Sequence, residues 1–189
     1  MLAVVTGPVR SGKSRAALRL ALDTGCDVVV AVGGREDDPE MVRRIAAHRA
    51  ERPGSVSVVE ADGELAWLAG VPDKTCLVVD CLGTILGLSL VGLVPEGAQI
   101  AGHEAETAAV RIVDALVEAL AERGGPTIVV SNEVGWGVVP ATPLGRLFRD
   151  AVGRANRALV ARSEAAWLVV SGRAIDLHAY SEEIAWPTR

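Results

Sequence analysis

Lysine is nearly missing from this 189-residue chain. Lys13 and Lys74 are its only two, and every other basic residue is arginine. Where arginine is that general, a single arginine carries little functional signal and a retained lysine needs a local reason. Aromatic residues make up 3% of the chain, with one Phe and one Tyr. Cysteine is limited to Cys26, Cys76 and Cys81, an odd number with no C-x-x-C or Cys/His metal spacing, which excludes a zinc motif and a disulfide framework. Such cysteines read as small hydrophobes in a reducing, cytoplasmic compartment. No apolar run approaches the ~20 residues of a membrane span. The start, Met-Leu-Ala-Val-Val-Thr-Gly, has no positive n-region, so it is not expected to be a signal peptide. A net charge of -5 argues against a globally basic nucleic-acid binder, and a hydrophobic fraction of 50% excludes disorder.

The length fits one domain, 1–189, since domains run to roughly 100–200 residues. A chain of this size buries about 70% of its unfolded surface and needs no metal or disulfide to fold. Along it, unbroken apolar runs at 2–5, 27–32, 75–81, 127–131 and 166–171 read as buried strands. Shorter strands are expected at 56–60 and, on an edge, at 173–177. Helical spacing covers 15–22, 40–49, 104–123 and 144–162, with a turn or two at 64–69, and Gly124-Gly125-Pro126 stops the third of these helices. The Leu- and Gly-rich stretch 82–100 has no clear period. Strands alternating with helices predict an α/β fold with a mainly parallel sheet and helices on both faces. Ligands of such sheets bind beyond the carboxyl ends of the strands.

Gly7, Pro8, Val9, Arg10, Ser11, Gly12, Lys13 and Ser14 match G-x-x-x-x-G-K-S in full, directly after a strand and before a helix. Glycines let backbone N–H groups turn inward around a phosphate, and the following helix adds its positive end. Lys13 would reach the β- and γ-phosphates, and the Ser14 hydroxyl would hold Mg²⁺. The alternative, a chance glycine turn, leaves Lys13 unexplained. Asp80 closes the strand L-V-V-D and has the position of a second Mg²⁺ ligand, although surface acids also occur at strand ends. His48 sits among Arg43, Arg44, Arg49 and Arg52. Locally it reads as a helix histidine on a charged, solvated face. The same cations would keep the imidazole neutral, which suits a nucleophile. Residues 131–140, S-N-E-V-G-W-G-V-V-P, leave a buried strand with Asn132 and Glu133 at its end. The structural reading of that segment is a packed loop with Trp136 as its lid. His103 and His178 lie in polar segments and receive no role.

G-P-V-R-S-G-K-S-R, then D-D-P-E-M-V-R-R-I-A-A-H-R-A-E-R-P, V-V-D-C, S-N-E-V-G-W-G-V-V-P-A-T-P-L-G-R-L-F-R-D-A-V-G-R-A-N-R-A-L and W-L-V-V-S-G follow one another in this order. Together they resemble the bifunctional adenosylcobinamide kinase / adenosylcobinamide-phosphate guanylyltransferase family of cobalamin biosynthesis, over nearly the whole chain. The resemblance implies a RecA-like P-loop fold, a homotrimer, and two reactions with Mg²⁺ and the substrates ATP and GTP. A nucleoside triphosphate phosphorylates the aminopropanol hydroxyl of adenosylcobinamide. GTP then guanylylates a histidine, here His48, and the GMP passes to the new phosphate, giving adenosylcobinamide-GDP. By the same resemblance Arg49, Ala50, Glu51, Arg52 and Glu60 would contact GTP, and Ala31, Val32 and Gly33 would lie near the nucleotide. The chain departs from the family pattern at Val56 and Val58, where a Trp and a Thr are usual, and across 82–88, where a polar stretch is usual. The alternatives are a P-loop kinase of another small hydroxylated metabolite and a non-catalytic nucleotide-binding paralogue.

Overall fold

The computed structural model describes residues 1–33 and 56–180. Seven strands form one sheet: β1 (Leu2–Thr6), β2 (Val28–Gly33), β3 (Val56–Ala61), β4 (Cys76–Asp80), β5 (Thr127–Val130), β6 (Ala165–Val170) and β7 (Arg173–Asp176). Among the described residues four α-helices accompany them: α1 (Lys13–Leu22), α2 (Leu82–Leu90), α3 (His103–Ala121) and α4 (Pro143–Arg162). The short helical segment expected at 64–69 is the 3-10 helix Ala66–Gly70. The helix expected at 40–49 lies outside the described residues.

The strand order is β3-β2-β4-β5-β1-β6-β7. Every neighbouring pair is parallel except β6 and β7, which form an antiparallel edge. This is the RecA-like P-loop α/β architecture that the sequence implies. The strands β1, β4 and β5 are central. All five residues of β1 and all four of β5 are buried, because both faces of the sheet are covered. That explains why they read as unbroken apolar runs rather than alternating ones.

Successive strand side chains point to opposite faces. Leu2, Val4, Leu77, Val79 and Val129 pack under α2, α3 and α4, while Ala3, Val5, Val28, Val30, Val78 and Val130 pack with Ala17 and Ala21 of α1. Each fully buried leucine, such as Leu77, Leu86 or Leu116, contributes about 1.5–3 kcal/mol. The helix α2 lies in the stretch without a period, and Leu82, Ile85, Leu86 and Leu90 are all buried there. At α4, Thr142 accepts a hydrogen bond from Gly145 N at 3.1 Å, and Pro143 supplies the preset first turn. The guanidinium of Arg123, just after α3, donates to the carbonyls of Pro72, Thr75 and Pro126, tying the starts of β4 and β5 together. No helix among the described residues is long and apolar enough to cross a membrane.

Candidate nucleotide and metal site

The loop between β1 and α1 is closed by three backbone constraints. Gly7 has φ +152°, and a Cβ built there would stand 2.2 Å from the carbonyl oxygen of Val169 in β6. Only glycine fits. Arg10 and Gly12 are left-handed, with φ of 58° and 99°. The turn from β6 to β7 then buttresses the loop, Gly172 N donating to Ser11 O at 2.9 Å. Inside this frame the Ser11 hydroxyl is buried and has no hydrogen-bond partner among the described residues. Among the described residues the first turn of α1 has no side-chain cap either, so its N–H groups remain open to an anion. An orphaned buried hydroxyl and uncapped amides are what a bound phosphate would satisfy.

Lys13 is only 7% exposed, and its ammonium donates to Pro8 O at 2.9 Å across the loop. Burial pushes its pKa down, and the neighbouring Cys81 and Asp80 pull it back up. A cation in so little water acts strongly on a phosphate. The Ser14 hydroxyl donates to Asp80 Oδ1 at 3.0 Å, which joins the start of α1 to the end of β4. A hydroxyl and a carboxylate side by side are hard oxygen donors that fit Mg²⁺. Among the described residues no cluster of three or more His, Cys, Asp or Glu could hold a metal ion. Two protein oxygens suit an ion whose remaining ligands are water and substrate phosphate.

Glu133 also belongs to this edge of the sheet. Its backbone N–H donates to Gly7 O at 3.2 Å, and its Oε1 accepts from Thr6 Oγ1 at 2.6 Å and from Asn156 Nδ2 at 3.1 Å. Asn156, on α4, is itself held by Ser131 Oγ at 2.5 Å and by Asn132 O at 3.1 Å. Sequence reasoning placed Glu133 at a strand end but gave it no role, and it missed Thr6 and Asn156. Trp136 does not act as a packed lid, being 65% exposed. The loop carrying it is held at its far end, where Arg146 donates to Pro140 O, Ala141 O and Gln99 O.

The remaining expected positions form a second group. Ala31 and Val32 are buried on opposite faces of the sheet. Gly33 ends β2 tightly against α2, where a Cβ would lie 2.9 Å from Ile85 N. Glu60 pairs in register with Val32 near the end of β3. These residues share the carboxyl edge with the loop of β1, but β4 and β5 stand between β2 and β1. His48, Arg49, Ala50, Glu51 and Arg52 lie outside the described residues, between β2 and β3 in sequence.

Residues 3–177 match the family model described as cobinamide kinase / cobinamide phosphate guanyltransferase. The bifunctional adenosylcobalamin biosynthesis protein CobP of Pseudomonas aeruginosa is 37% identical over 171 residues, covering 89% of this chain and 92% of the relative. The bifunctional adenosylcobalamin biosynthesis protein CobU of Salmonella typhimurium is 35% identical over 179 residues, covering 91% and 97%. Among solved structures, the flagellar accessory protein FlaH from Methanocaldococcus jannaschii aligns with a TM-score of 0.44 at 13% identity, over 93% of this chain and 77% of that one. The family match over nearly the whole chain, with two relatives above 30% identity along almost their full length, shows that the chain belongs to the cobinamide kinase / cobinamide phosphate guanyltransferase family.

Proposed function

We propose that this chain, acting as one domain over residues 1–189, performs both reactions of its family. It phosphorylates the aminopropanol hydroxyl of adenosylcobinamide with ATP or GTP. It then moves GMP from GTP, through His48, onto the new phosphate to give adenosylcobinamide-GDP. The observation that carries the first step is the 3.0 Å contact from Ser14 to Asp80 beside the buried Lys13, in a loop that only Gly7 can close. In this reading Gly7 to Ser14 cradle the phosphates, Lys13 offsets their charge, and Ser14 and Asp80 hold Mg²⁺. The metal draws charge off the γ-phosphoryl group when bound.

His48 is the proposed nucleophile of the second step, with Arg49 to Arg52 and Glu60 on the GTP, and Ala31 to Gly33 beside it. Arginines around a phosphoramidate would offset charge on the α-phosphate as pyrophosphate leaves. Support comes from family membership and from the local pattern R-I-A-A-H-R-A-E-R-P. The separation of Gly33 from the P-loop strand by two intervening strands, and of Glu60 by three, suits two nucleotide subsites along one sheet edge. By the same kinship the assembly is proposed to be a homotrimer.

The test is to supply adenosylcobinamide, ATP, GTP and Mg²⁺ and follow products by mass spectrometry. The phosphate should appear first and the GDP derivative second. Absence of both, or a phosphate that is never guanylylated, would contradict the reading.

A further inference from the structure

We propose that the Glu133 carboxylate is the general base of the phosphorylation step, a role that rests on the kinase reading above. Among the described residues two carboxylates stand at the carboxyl ends of the three central strands: Asp80, the last residue of β4, and Glu133, just beyond β5. Asp80 is engaged by the Ser14 hydroxyl. Glu133 is held differently, with both of its side-chain hydrogen bonds, from Thr6 and Asn156, falling on Oε1. Among the described residues no hydrogen bond reaches Oε2, and the side chain is only half-buried. One oxygen is anchored and the other keeps its lone pairs for a proton.

The anchor is over-determined. The Asn156 amide cannot turn over, because its Nδ2 faces the Asn132 carbonyl and the Glu133 carboxylate, both pure acceptors. Its Oδ1 takes the hydroxyl of Ser131, which is fully buried. Behind Oε2, the Asn156 amide and the Ser131 hydroxyl all have partners, which holds this part of the network rigid. A strand end that needed only packing could be filled by apolar side chains. The bond from Glu133 N to Gly7 O fixes the same residue to the first position of the phosphate loop. Thr6 and Gly7 are adjacent, so Glu133 is tied to the element that would carry the triphosphate twice, by its backbone to Gly7 and by its carboxylate to Thr6.

In the step itself the substrate hydroxyl oxygen bonds to the γ-phosphorus as its proton passes to Glu133 Oε2. The bond from the γ-phosphorus to the bridging oxygen breaks, and the nucleoside diphosphate leaves with that electron pair. Proton acceptance by a fixed carboxylate is worth roughly 10²–10⁴-fold in rate.

Glu133→Gln separates this role from a structural one, because glutamine keeps an oxygen for Thr6 and Asn156. With adenosylcobinamide, ATP and Mg²⁺, its kcat for phosphorylation should fall by roughly 10²–10⁴-fold, with the KM for ATP little changed. Its labelling by GTP in the guanylylation step and its melting temperature should match the wild type. Glu133→Asp should recover part of the rate. A variant that phosphorylates at the wild-type rate overturns the proposal. So does one that loses both activities or its thermal stability together, or one rescued by excess Mg²⁺, which would make Glu133 a structural or metal-holding residue. If the wild type itself does not phosphorylate adenosylcobinamide, the kinase reading falls and the proposal with it. An active wild type beside an equally active Glu133→Gln removes the proposal alone.

Discussion

Lys13 is the residue at which function and stability oppose each other. Its ammonium is buried in the loop, and burial pushes its pKa down, so the folded protein holds this charge at a cost. A buried, poorly hydrated cation is what a triphosphate would compensate. Lys13→Met should therefore leave the melting temperature of the ligand-free protein unchanged or raise it, while phosphoryl transfer falls by roughly 10²–10³-fold. A thermal melt and a kinase assay on one preparation check both halves. A variant that unfolds, or that keeps its kinase rate, would contradict this view of the loop. The lysine was legible from sequence because it stands out in a chain stripped of lysine and completes a contiguous motif. Thr6, Glu133 and Asn156 were not, since their contacts span up to 127 residues and each is an ordinary polar residue locally.

Among the elements, α2 shows why part of the fold was hidden. A helix is recognised by one apolar stripe, and α2 has apolar residues all round because it is packed between the sheet and neighbouring helices. Its two glycines, Gly83 and Gly87, face the Phe148 ring of α4, whose atoms lie 3.6 and 3.7 Å from where their Cβ atoms would be, an ordinary contact distance. By contrast α3 and α4 each keep a polar face and were readable to within a few residues. The strands were readable for the opposite reason, as continuous apolar runs in a doubly covered sheet. Where α2 meets β2, the backbone at Gly33 has no room for a side chain, with Ile85 N at 2.9 Å and Thr84 C at 3.1 Å from an added Cβ. Both are backbone atoms and cannot rotate away. Gly33→Ala should lower stability by about 1–3 kcal/mol, read as a lower denaturant midpoint with an unchanged slope. No loss would mean that α2 slides freely on β2.

At the scale of the whole molecule, a parallel sheet brings the ends of β1, β4 and β5 to one edge, and distant segments of the chain become one site. That convergence follows from strand order, which the sequence suggests only through the family resemblance. Because the proposed second subsite lies on the far side of β4 and β5 from the loop of β1, the two activities should be separable by mutation. The proposed homotrimer should scatter light as three times the 19.7 kDa chain, and a monomeric mass would contradict it. The central claim is that one chain carries a kinase site and a distinct guanylyl carrier, and intact-protein mass spectrometry after incubation with GTP and Mg²⁺ tests it most directly. The account predicts addition of one GMP through a P–N bond, labile in acid and stable in base, mapping to His48. The adduct should be absent from His48→Ala, while that variant still phosphorylates adenosylcobinamide. No adduct on the wild type, an adduct that persists in His48→Ala or maps to His103 or His178, or a His48→Ala variant that loses both activities together would contradict it.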